Sequence, residues 1–414
     1  MRSFAKRFVR VLGPDPAAVA QSGFALLISI IATLVAGLTL ASAEARLEAT
    51  PGLLLLVPAA IAQRGNVFGA LGSRLGTAIH TGEFSITRRP RTVFGQNVLA
   101  SLALTLVAAT WLGLLAWVLS RIFGTEGSIG VFDFLTISVV GGTVASLVVL
   151  AITITLAAGS VKYRWDLDNV IAPLVTGTGD LVTLPSLLLA SQLVSAPGSA
   201  SPSRVSTVVG VVVLGVAALT VVASMISKLP LLRRIVVESL PVLGVASLVS
   251  LCAGIVIENR LGAFLDQPAL LVLVPTYFGM AGALGGILSS RLGSKVHLGL
   301  ITPRALPQRE ALLDIRSVAL LALPIFVLVG AGAHLGALGI GAESPGIVDM
   351  VSVAVLAGAG ATLVVLAVAY YGTLAAIRFG LDPDTAGIPL TNSILDLVGS
   401  FTLVAAIIGL GVAG

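Results

Sequence analysis

Eleven stretches of this chain are long and apolar enough to cross a lipid bilayer, and that property decides what it can fold into. They run at 23–43, 51–80, 93–120, 134–158, 169–193, 205–226, 237–257, 268–297, 316–340, 347–376 and 385–412. A bilayer core takes about 20 apolar residues of helix to span. Inside it the backbone must satisfy its own polar groups, so such runs form helices. The expected fold is an all-α polytopic membrane protein with eleven transmembrane helices. Hydrophobic residues make up 57% of the chain and charged residues 10%, far beyond what one soluble core hides. The single cysteine, Cys252, lies in an apolar run, which excludes an intramolecular disulfide and a cysteine-based metal cluster. Net charge is +5, but the basic residues sit in short loops rather than interleaved with aromatics, so nucleic acid is not an expected partner.

The loop charges set an orientation instead. Residues 1–22 carry Arg2, Lys6, Arg7 and Arg10 with Phe4, Phe8 and Val11 at helical spacing. This reads as a basic amphipathic lead-in at the cytoplasmic membrane surface, not a cleaved signal peptide. With residue 1 inside, fifteen Lys and Arg fall in cytoplasmic segments, against Arg46, Arg121, Arg204 and Arg260 outside. The positive-inside rule then puts the N-terminus in the cytoplasm and the C-terminus outside the cytoplasmic membrane.

The chain repeats itself. DLDNVIAPLVTGTGDLVTLP from Asp166 returns as DPDTAGIPLTNSILDLVGSF from Asp382, at an offset of 216. Likewise Glu44-Ala45-Arg46-Leu47 returns as Glu258-Asn259-Arg260-Leu261, and VPAAIAQRGNVFGALGSRLGTAIH at 57–80 as VPTYFGMAGALGGILSSRLGSKVH at 274–297. Each unit has five spans, so direct fusion would invert the second; the extra span at 205–226 restores its orientation. The expected organisation is a first repeat at 23–194, an external loop and linking helix at 195–235, and a second repeat at 236–414. The two would lie parallel, about an axis along the membrane normal.

Within the repeat, Asp180 and Asp396 occupy matched intramembrane positions, and such carboxylates mark ion or substrate pathways. Thr176 lies one helical turn from Asp180 and Asn392 one turn from Asp396, so each copy presents a carboxylate and a neutral oxygen on one face. Pro173 and Pro389 free the carbonyls of Asn169 and Thr385 from helix hydrogen bonds. Carboxylates with neutral oxygens suit Mg2+, a hard ion that keeps most of its waters. Asp166, Asp168, Asp382 and Asp384 stand where they cap helices; Asp168 and Asp384 are also candidates for gathering cations at the inner mouth. Arg74 and Arg291 are expected to snorkel or to pair with those acids. The glycines at 65, 69, 72, 76, 279, 282, 286 and 293 read as close-packing faces, and His80 and His297 lack companions for a metal site.

These residues resemble a known family. A proline, five residues, then Gly65-Asn66 and a glycine-rich helix at 58–76, followed by Pro173, Thr176 and Asp180, are similar to the transmembrane part of MgtE-type magnesium transporters. GLDPDTAGIPLTNSILDLVG at 380–399 resembles the fifth helix of that family, with Asn392 in the threonine's place. The fused, two-copy form resembles the solute-carrier branch related to MgtE. The resemblance implies divalent cation transport, with Mg2+ as the transported ion and no cofactor. Asp180, Asp396, Thr176, Asn392, Asn169, Thr385, Asp168, Asp384 and Asn66 are the candidate metal residues. A Na+ or H+ gradient is left open as the coupling ion, and a monomer should suffice as a pseudo-dimer. MgtE proteins carry cytoplasmic magnesium-sensing domains ahead of the membrane part; about twenty residues stand there in this sequence, so that gating is not carried over. The Gly65-Asn66 pair becomes Gly282-Ala283 in the second copy, and Arg64 becomes Ala281.

Two other classes compete. Gly177-Thr178-Gly179-Asp180 matches the Gly-x-Gly-Asp of intramembrane aspartyl proteases, with Pro268-Ala269-Leu270 like their Pro-Ala-Leu element, but no upstream Tyr-Asp exists. A non-transporting membrane scaffold has no reason to place two acids in its core.

Overall fold

The computed structural model describes residues 16–87, 89–125, 127–194, 204–297, 299–302, 304–379 and 383–412. Residues 1–15 of the basic lead-in, the loop at 195–203 and Asp382 lie outside the described residues, as do the side chains of Asp168, Asp384, Thr385 and His297.

The apolar runs become helices whose backbones satisfy themselves. They are α1 Pro16–Ala41, a short α2 Glu44–Ala49, α3 Leu53–His80, α4 Val93–Ile122, a short α5 Val131–Thr136, α6 Gly142–Tyr163, α7 Leu167–Ser191 and α8 Arg204–Met225. A π-helical turn, Ile137–Gly141, joins α5 to α6. Then follow α9 Pro230–Glu258, a short α10 Leu261–Asp266, α11 Pro268–His297, α12 Arg309–Gly339, α13 Ile347–Arg378 and α14 Pro383–Gly409. Eleven spans result among the described residues, and none of those residues is in a strand. Several helices outrun their apolar stretches: the first turns of α12 hold Arg309, Glu310 and Asp314. Helix continues there into the polar edge of the membrane, where hydropathy no longer reports it.

Helices α3 and α11 form the centre, and the apolar window of α3 is wholly buried. Around them the two halves exchange partners. Helix α1 packs on α7 of its own half and on α11 of the other, while α9 packs on α14 and on α3. The main apolar core accordingly draws residues from both halves, Leu40 and Leu55 alongside Val272 and Leu403. Small residues permit these approaches. Gly37 lies against the backbone of Val272, and Gly254 against that of Leu55, so that a Cβ at either glycine would collide. Both members of the two contacts are 217 apart in the chain.

The same exchange fixes a helix start. The Glu258 carboxylate, at the end of α9, accepts the backbone N–H of Gly52 at 2.9 Å and of Leu55 at 3.1 Å. It caps α3, whose first amides would otherwise be unpaired. Gly52 holds φ +93 there, a left-handed conformation suited to glycine. Helix α8 stays at the periphery on α4 and α5, largely exposed and apolar.

Candidate cation site between the central helices

The exchanged packing buries one acid from each half. Asp180 on α7 is 1% exposed and Asp396 on α14 is 7% exposed, and one turn before them Thr176 Oγ1 and Asn392 Nδ2 both stand within 3.8 Å of where a Cβ on Gly65 would lie. Among the described residues neither carboxylate oxygen of Asp180 has a hydrogen-bond partner. Its Oδ2 faces Gly279 of α11: a Cβ there would stand 2.7 Å from Oδ2 and 2.9 Å from Cγ2 of Thr33 on α1. Asp396 differs, because its Oδ2 accepts a 2.6 Å hydrogen bond from Ser250 of α9. Thr33 and Ser250 are again 217 apart, yet the Thr33 hydroxyl donates to its own helix at Ser29 O, 2.9 Å away. Asp180 is thus left available, and Asp396 is partly satisfied.

One helical turn towards the start of α7 and α14 lies a small cavity lined by Gly65, Gly69, Ser73, Ile171, Ala172, Thr176, Gly282, Gly286, Ser290, Ile388 and Asn392. All of its lining but Ile171 comes in matched pairs: Gly65 with Gly282, Gly69 with Gly286, Ser73 with Ser290, Ala172 with Ile388 and Thr176 with Asn392. Asn392 Nδ2 donates to Asn66 Oδ1 at 2.9 Å, tying α14 to α3, and its Oδ1 is buried without a partner. Only about 10 Å³ is open to the centre of a water molecule, room for about one water. A Mg2+ ion with its water shell is too large for this space.

Asp180, Asp396, Thr176, Asn392 and Asn66 are therefore brought together. Asn169, a candidate through its backbone carbonyl, has its side chain engaged: it accepts from Arg291 Nε at 3.3 Å and donates to Asp166 at 3.1 Å, while Arg291 also donates to Ser22 at 2.8 Å. That chain links α7, α11 and α1. The sequence reading missed Ser73, Ser290 and Ser250. The first two carried a signal, recurring in the matched GSRLG and SSRLG segments; Ser250 is one serine in an apolar helix and carried none.

Among the described residues no group of three or more His, Cys, Asp or Glu could hold a metal ion. Two carboxylates with hydroxyl and amide oxygens nearby fit an ion that keeps part of its water. The glycines of the protease-like motif have packing roles: a Cβ at Gly177 would meet Ser29, and one at Gly179 would touch the Cβ of Arg64 at 3.5 Å.

Comparison with known proteins gives this geometry its context. Solute carrier family 41 member 3 of Rattus norvegicus is 29% identical over 263 residues, covering 62% of this chain and 54% of the relative. Member 2 of Xenopus laevis is 30% identical over 262 residues, covering 62% and 45%. The match thus spans about half the length of these relatives. A MATE transporter in its straight conformation aligns over 97% of this chain and 98% of that one, at 16% identity and a TM-score of 0.32, too low to bear on the fold. A family model described as "MgtE: Divalent cation transporter" matches twice, at residues 57–190 and 274–406. The two matches take in both aspartates and the whole cavity lining, and the chain belongs to the MgtE family of divalent cation transporters.

Proposed function

We propose that this chain carries Mg2+ across the cytoplasmic membrane through the interface of its two halves, with Asp180 and Asp396 binding the partly hydrated ion. One observation carries the reading: two buried carboxylates, one from each half, lie one helical turn from a cavity between the halves whose polar lining is matched residue by residue. Bringing two like charges together in a low-dielectric interior is costly. A divalent cation removes that cost, and the neutral oxygens of Thr176, Asn392 and Asn66 replace waters as it moves inward.

The paired glycine contacts support parallel repeats at 23–194 and 236–414, joined through 195–235. Because both halves reside in one chain, a monomer suffices; activity found only in a dimer, by cross-linking or mass photometry, would contradict this. The basic loops support a cytoplasmic N-terminus and an external C-terminus. Asp168 and Asp384 gather cations at the inner mouth.

The test is flux in proteoliposomes, comparing Mg2+, Mn2+, Co2+ and Ca2+ with and without Na+ and H+ gradients. Asp180→Asn and Asp396→Asn should each nearly abolish divalent flux in folded protein, since an amide cannot offset the ion's charge. Wild-type flux in either variant refutes the assignment.

A further inference from the structure

Among the described residues Arg64 is the largest fully buried side chain, at 1% exposure, and it has no ion-pair partner there. Its Nη1 donates to Ala60 O at 2.6 Å and to Gln63 Oε1 at 3.1 Å. Its Nε and Nη2 are buried and have no partner among the described residues. The guanidinium fills a recess at Gly142, beside Ala109, where a Cβ on the glycine would collide with Nη2. A buried, unpaired arginine is expensive, and replacing a buried charge with apolar atoms is often stabilising.

The second half shows that packing does not require the charge. Ala281 stands at the position of Arg64, Phe326 at that of Ala109, and Gly358 at that of Gly142. There the Phe326 ring fills the recess at Gly358. The equivalence of these helices is fixed by a second contact: Gly113 lies on Phe134 and Leu135 as Gly330 lies on Met350 and Val351. The same space is closed by a charge in one half and by an apolar ring in the other.

An unpartnered carboxylate stands on the helix packed against that of Arg64. Arg64 Cβ is 3.5 Å from where a Cβ on Gly179 would stand, and the next residue is Asp180, both of whose oxygens are buried and unpartnered. We propose that Arg64 is a tethered substitute for the transported ion, resting in the Gly142 recess while a divalent cation occupies Asp180 and swinging to Asp180 when the cation leaves. The guanidinium then neutralises the carboxylate, lets the ion-free protein change conformation, and competes with the incoming ion. This rests on the reading that Asp180 binds the ion.

Arg64→Ala combined with Ala109→Phe reproduces the filling seen in the second half, and so removes the charge while keeping the recess closed. Two rates are measured in proteoliposomes: isotopic Mg2+ exchange at equal concentrations on both sides, and net uptake into Mg2+-free vesicles. Mg2+ affinity is measured by equilibrium dialysis in detergent. Net uptake should fall at least about tenfold more than exchange, because only net transport needs the ion-free protein to reorient. If the arginine occupies Asp180 about nine-tenths of the time without ion, Mg2+ should bind about tenfold tighter to the variant. Arg64→Lys, which retains the charge, should recover part of the net uptake. The proposal fails if net uptake and exchange change by one factor, or if Mg2+ binds no tighter. Structural damage would weaken binding, so the sign of the affinity change separates the two. Absence of wild-type Mg2+ flux, or full flux in Asp180→Asn, would instead overturn the site itself and this proposal with it.

Discussion

Gly279→Ala tests the geometry at Asp180 with a single methyl group. The new Cβ would stand 2.7 Å from Asp180 Oδ2 and 2.9 Å from Thr33 Cγ2, distances that real Cβ atoms essentially never show. The carboxylate must retreat by roughly 0.7 Å to reach ordinary contact, or α7 and α11 must part by a similar amount. Mg2+ tolerates little departure from octahedral geometry, and functional groups displaced by more than about 0.5 Å lose much of their effect. A loss of about 1.4 kcal/mol, or tenfold in apparent Mg2+ affinity, follows. Alanine itself favours helix over glycine by up to about 1 kcal/mol, so fold stability should change little while affinity falls. Gly215→Ala, on the peripheral α8 with nothing within 4 Å of the new methyl, is the control and should transport as wild type. The assay is the Mg2+ concentration dependence of flux in proteoliposomes, with thermal unfolding in detergent alongside. In an Asp180→Asn background the alanine should add little, since neighbouring residues acting on one interaction are not additive. Wild-type affinity in Gly279→Ala would show that the ion does not depend on where Oδ2 sits.

Three further outcomes are expected. Glu258→Ala should lower stability by about 1–2 kcal/mol in thermal unfolding, because two amides at the start of α3 lose their acceptor; unchanged stability would mean water replaces it. Asn66→Ala should reduce flux, leaving the Asn392 amide buried and unpaired, whereas Asn66→Asp keeps an acceptor, adds a charge and should tighten Mg2+ binding while slowing turnover. Replacing Asp168 and Asp384 together by Asn should weaken the inner-side concentration dependence, more at low ionic strength than at high; wild-type affinity at low salt would reduce them to helix caps.

The spans, the duplication and the pairing of Asp180 with Asp396 were legible because each rests on local order: apolar length, a constant offset, and the one-turn spacing that adds Thr176 and Asn392. The bond from Ser250 to Asp396, the recess that holds Arg64 and the capture of the Asn169 side chain by Arg291 were not legible. Each depends on a different helix, 146 residues away for Ser250 and Asp396, 122 for Asn169 and Arg291, and periodicity says which face a residue is on but not which helix that face meets. The asymmetry of the two acids has the same origin. Thr33 and Ser250 are both hydroxyl residues, and only the three-dimensional packing shows one turned to its own backbone and the other to a carboxylate.

The exchange of first helices between the halves also governs how the protein can be made. As the chain leaves the ribosome, α1 and α3 enter the membrane before α9 and α11 exist. Until then Gly37 has no Val272 to rest against, and the start of α3 has no Glu258. The first half must wait in the bilayer with an open flank, and its native contacts close only after some two hundred further residues have been inserted. Contacts so distant in sequence form late. A truncated first half is therefore an assembly intermediate rather than half a transporter, and the two halves expressed as separate chains should regain activity only when synthesised in the same membrane.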